Sequence, residues 1–86
     1  MRFMMEYEAL KKAIARVLQV YVGEIRVDST FEGDLGADSI DMVQILQCVE
    51  EELKINLTIG ENHNIVTVGD ALAVIEGAVG AKADNE

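Results

Sequence analysis

The chain has 86 residues, half of them hydrophobic, and carries a net charge of −9 from 16 acids against 7 bases. That length holds one domain, and a domain so small buries only about 60% of the surface its unfolded chain exposes. The acidic balance excludes nucleic-acid binding, which takes clustered Lys and Arg, and favours a basic protein partner. One cysteine, Cys48, makes no internal disulfide. The start, Met1 to Glu6, does not read as a signal peptide. No run approaches the ~18 apolar residues of a membrane span. The expectation is a soluble, monomeric, cytoplasmic protein.

The first helix is expected over Glu6 to Val20. There Leu10, Ile14, Val17, Leu18 and Tyr21 recur at spacings of three and four. Gly23 to Asp38 reads as a loop rich in turn formers, pinned to the core by Ile25, Val27, Phe31 and Leu35. A loop that long in so small a domain is usually functional. The second helix should start at Asp38, an N-cap with Asp41 three positions on, and run to Leu53. Ile45, Val49 and Leu53, with Met42 and Leu46, form its inward stripe, and Cys48 beside them reads as a small core group. Glu50, Glu51 and Glu52 close this helix against its dipole, at about 0.3–1 kcal/mol each, so the run suggests a use beyond stability.

Lys54 to Asn64 is weakly patterned and reads as a loop leading to a short helical turn near Gly60 to Ile65. Thr67 and Asp70 open the last helix as a capping box, and Val68, Ala71, Leu72, Ile75 and Val79 form its stripe. Gly77 and Gly80 weaken its end, which makes 81–86 a disordered tail after a domain over 1–80. The sum is an all-α bundle of three main helices and one short one.

The stretch that carries chemistry is Asp34-Leu35-Gly36-Ala37-Asp38-Ser39-Ile40-Asp41. It sets a serine at a helix start, after a glycine turn, among three acids and with no base nearby in sequence. This octet resembles the signature of the acyl carrier proteins, Asp-Leu-Gly-Ala-Asp-Ser-Leu-Asp, with Ile40 in place of leucine. The resemblance continues through Val43 and Glu50 to Glu52, and returns at Ile65 to Ala71. It implies the small four-helix acyl-carrier bundle and a 4′-phosphopantetheine arm, taken from coenzyme A, on Ser39. The implied role is carriage of acyl thioesters in fatty acid, lipid or polyketide synthesis, without catalysis by the chain. The implied partners are a phosphopantetheinyl transferase and acyl-transferring or acyl-modifying enzymes with basic docking patches. Those patches would meet an acidic face of Asp38, Asp41, Glu50, Glu51 and Glu52, with Ile40 and Val43 as apolar contacts beside Ser39. Gln44 and Gln47 depart from the family, which often has an acid and an apolar residue there. The stretch around Gly60, Asn62, His63 and Asn64 lacks the acidic short helix of the fatty acid carriers.

Other readings remain open. A peptidyl or aminoacyl carrier more often resembles Gly-Gly-His-Ser at the attachment site, which Asp38 does not match. An unmodified acidic docking module would use the same face without Ser39. A serine hydrolase is excluded by a single histidine, His63, and the lack of a Gly-x-Ser-x-Gly elbow. An EF-hand starting at Asp28 fails at Thr30, Glu32 and Ser39, and no metal site is expected.

Overall fold

The computed structural model describes residues 2–57 and 65–84, with side chains for 5–57 and 65–80. Among the described residues the elements in chain order are α1 (Arg2–Leu18), a 3₁₀ turn at Val22–Glu24, α2 (Ser39–Leu53) and α3 (Val68–Asp84). The all-α expectation stands. The short helical turn expected near Gly60 lies outside the described residues except for Ile65.

Each helix buries one apolar stripe, as its periodicity requires. Leu10 and Ile14 of α1, Ile45, Leu46 and Val49 of α2, and Val68 and Ile75 of α3 are the largest fully buried side chains among the described residues. Each such aliphatic group contributes about 1.5–3 kcal/mol by leaving water. Helix α1 packs chiefly on α2 and less on α3. Ile25, Phe31, Ala37 and Leu57, all from the connections, complete the core. Cys48 is half-buried and packs against it.

Two expectations about the core are corrected. Helix α1 ends at Leu18, and Gln19 takes a left-handed conformation at φ 58°. That breaks the helical register, so Tyr21 leaves the α1 stripe and is 77% exposed. Val27 is also exposed, with its side chain lying against Gly69 rather than inside. Helix α3 continues through Gly77 and Gly80 to Asp84, four residues into the segment expected to be a tail. Neither glycine sits at a close approach, since a Cβ on either would meet nothing within 4 Å.

The loop before α2 is built rather than slack. Its backbone pairs with the chain entering α3 in three hydrogen bonds. The Gly69 N–H donates to the Val27 carbonyl, Val68 to Ser29, and Phe31 to Val66, at 2.8, 2.9 and 3.0 Å. These bonds satisfy backbone groups that burial would otherwise orphan. Residues 31–35 then form one turn. The Thr30 N–H donates to Asp34 Oδ2 and the Asp34 N–H to Thr30 Oγ1, both at 2.9 Å. Gly36 closes the turn at φ 70°, a region that glycine enters at little cost.

Candidate functional site

The octet 34–41 divides into residues that build the site and residues left to act. Asp34 bonds Thr30 and holds the turn. Leu35 is half-buried against the core, Gly36 supplies the positive φ, and Ala37 is buried. Asp38 and Asp41 form a reciprocal capping box at the start of α2. The Asp41 N–H donates to Asp38 Oδ1 at 2.8 Å, and the Asp38 N–H donates to Asp41 Oδ2 at 3.2 Å. Six of the eight residues thus serve the scaffold. Only Ser39 and Ile40 do not, and both are exposed.

Ser39 is the first residue of α2. The N–H groups of Ser39 and Ile40 have no partner among the described residues, as expected of a helix start. Two free amides and the positive end of the helix dipole suit a phosphate oxygen at this point. Beside Ser39 opens a cleft of about 460 Å³, walled by Phe31, Ala37, Met42 and Ile65 and rimmed by Thr30 and Asp38. An exposed hydroxyl, two free amides and an adjoining apolar cleft fit a phosphate-linked arm. His63 lies outside the described residues.

The expected docking residues do not all point one way. At 3.6 residues per turn, Ile40, Val43, Gln44, Gln47 and Glu51 share the outward stripe of α2, and all five are exposed. Ile40 and Val43 are 67% and 46% exposed, large values for apolar side chains. Asp38 and Asp41 stand at the head of the helix, bound up in the cap. Glu50, two turns beyond Val43, is half-buried and its carboxylate reaches the following chain. Its Oε2 accepts the Leu57 N–H at 2.6 Å, while its carbonyl accepts from Ile55 and from Lys54, which caps the helix in a left-handed conformation. Glu52 is exposed on the α1 side, lining a groove with Lys12.

Sequence reasoning missed the Thr30–Asp34 pair and the Glu50–Leu57 tie. The first had a signal, Thr and Asp four apart in a turn-rich stretch; the second joins residues seven apart and had none. It also passed over Gly69, where a Cβ would come within 3.0 Å of Val27 Cγ1 and 3.3 Å of the Val27 carbonyl. At the start of α3, the Thr67 and Asp70 box forms as expected. The Asp70 N–H donates to Thr67 Oγ1, and Asp70 Oδ2 accepts from Thr67 and also from Val66. These backbone donors hold the Asp70 carboxyl below its ordinary range.

A helical bundle with an exposed serine at a helix start, set between a turn and an apolar cleft, is the framework of a carrier module. The phosphopantetheine attachment site family matches residues 8–75, a span that includes Ser39 and the whole octet. An acyl carrier protein of Clostridium perfringens is 41% identical over 69 residues, covering 80% of this chain and 91% of the relative. The chain belongs to the phosphopantetheine-attachment family, the family of the acyl carrier proteins. It is a carrier and not an enzyme, and its cofactor is covalent 4′-phosphopantetheine. No helix among the described residues is long and apolar enough to cross a membrane.

Proposed function

We propose that Ser39 is the attachment point of the arm, and that the chain carries acyl intermediates of fatty acid, lipid or polyketide synthesis on it. One observation carries the choice of residue. Within the octet every polar side chain except Ser39 is committed to a hydrogen bond of the scaffold, and Ser39 alone offers an exposed, unengaged hydroxyl. The thiol at the far end of the arm supplies the chemistry, holding the acyl group as a thioester.

The chain's own residues present and position. Asp38 and Asp41 keep the first turn of α2 formed, so the backbone that bears Ser39 is held in place. The Ser39 and Ile40 amides would be free to hold a phosphodiester oxygen. Phe31 and Ala37 would wall one side of the arm's path, and Ile40 and Val43 offer apolar contact to whichever enzyme receives the cargo. The working unit is one carrier domain over residues 1–80, a cytoplasmic monomer. Its partners are a phosphopantetheinyl transferase and acyl-transferring and acyl-modifying enzymes that recognise α2.

Intact-protein mass spectrometry after incubation with coenzyme A and a broad-specificity transferase tests the reading. The parent chain should gain one phosphopantetheine and Ser39→Ala none. No gain with several transferases, from a chain shown to be folded, would leave an unmodified docking module as the better account.

A further inference from the structure

Asp70 lies outside the octet, at the head of α3, yet a run of hydrogen bonds leads from it to Ser39. Its Oδ2 accepts the Val66 and Thr67 N–H groups, both at 3.0 Å. The Val66 carbonyl accepts the Phe31 N–H at 3.0 Å, and the Phe31 carbonyl accepts the Ala37 N–H at 2.8 Å. Ala37 directly precedes the Asp38 cap and Ser39. Val66 and Phe31 are thus each held at both N–H and carbonyl, which fixes the backbone that joins the two helix starts. The antiparallel bridge of Thr30 with Thr67 lies beside the same run.

The same residues bound the cleft beside Ser39. Ile65 and Val66 line it from the chain entering α3, and Phe31 and Ala37 from the loop before α2. Phe31 and Ala37 are buried and packed in the core. Val66 is 52% exposed and stands outside the core, so hydrogen bonds rather than packing hold it. The bond on its N–H side is the one from Asp70, whose carboxyl the backbone donors keep below its ordinary range, and so ionised as an acceptor at neutral pH. Resting on the carrier reading above, we infer that Asp70 is a positioning residue for phosphopantetheine transfer. By holding Val66 it sets the spacing of the cleft walls and, through Phe31 and Ala37, the seat of Ser39. Without that acceptor Val66 is released, and the backbone that leads to Ser39 loosens with it.

The test uses the full chain and compares Asp70→Ala with Thr67→Val and Ile75→Val. Asp70 is exposed, so its substitution leaves the core intact. Thr67→Val removes the other half of the α3 cap, the 3.1 Å bond from the Asp70 N–H, and leaves Val66 tied. Ile75→Val loosens α3 from within the core and touches none of these links. Amide hydrogen exchange is read residue by residue by NMR, with thermal unfolding of the same samples as the gauge of overall stability. In Asp70→Ala the Phe31 and Ala37 amides should exchange about tenfold faster than overall stability accounts for, and in the two controls no faster than it accounts for. Transfer to Ser39 should lose about two- to tenfold in kcat/KM, the worth of one hydrogen bond, while both controls keep the parent rate. Asp70→Asn retains an acceptor oxygen at the same point and should restore most of both. An exchange change confined to residues 66–70, or a transfer loss shared equally by Thr67→Val and Ile75→Val, overturns the inference. Failure of the carrier reading appears as no mass gain in any chain, and the exchange comparison, which needs no transfer, still decides this one.

Discussion

Asp38 is a helix cap by geometry and a proposed docking charge, and one pair of substitutions separates the two. Asp38→Ala removes the 2.8 Å bond from the Asp41 amide and leaves one half of the box, the Asp38 N–H to Asp41 Oδ2. Loss of an N-cap acceptor costs about 1 kcal/mol. In a domain of this size 1 kcal/mol lowers Tm by about 4–8 °C. Asp38→Asn keeps an acceptor at the same point and gives up only the charge, so its loss should stay below about 0.5 kcal/mol, since Asn caps about as well as Asp. Thermal unfolding followed by far-ultraviolet circular dichroism measures both. Transferase kinetics on the same samples then read the charge: Asp38→Asn should slow transfer if the carboxylate steers docking. Equal destabilisation by Asn and Ala, or none by Ala, would refute the assignment of Asp38 as the cap.

Other expected outcomes follow from single contacts. Glu50→Ala should cost about 1–3 kcal/mol by orphaning the Leu57 amide, and Glu50→Gln clearly less; equal urea midpoints for the two variants would deny the tie. Gly77→Ala should stabilise α3 by about 0.5–1 kcal/mol, because the position is helical and open. Gly69→Ala should instead cost about 1–3 kcal/mol, since its Cβ would crowd Val27; opposite signs in one denaturation series check both. Asp70 has a folded-state pKa below its unfolded value of 3.8. Its stabilising contribution is therefore full above the unfolded value and is lost as pH falls through the lower folded one. Asp70→Asn should make the acid limb of the stability curve shallower, and an unchanged limb in acid titration would contradict the assignment.

Much of this protein was legible in the residues. Helical spacing of apolar side chains identified the inward stripes of α2 and α3 and most of α1, because a helix must bury its apolar side whatever its neighbours are. Capping chemistry located the starts of α2 and α3, since an Asp or Thr three positions from an acid satisfies local amides without tertiary help. The octet identified Ser39 as the residue to watch, although the physical sense of its other members came only from their bonds.

What the sequence left undecided depended on contacts between segments far apart. The loop before α2 reads in sequence as pinned by its apolar side chains alone, yet its amides and carbonyls find partners in residues 66–69. Tyr21 continues the α1 stripe on paper, but the left-handed turn at Gln19 carries it into solvent. The three glutamates ending α2 look alike in sequence. Helical rotation and the path of the following chain turn Glu50 to Leu57, Glu51 outward and Glu52 towards α1. Local chemistry determined where helices begin and which hydroxyl is offered. Only tertiary packing decided where those carboxylates reach, because a side chain's direction depends on the chain that passes next to it.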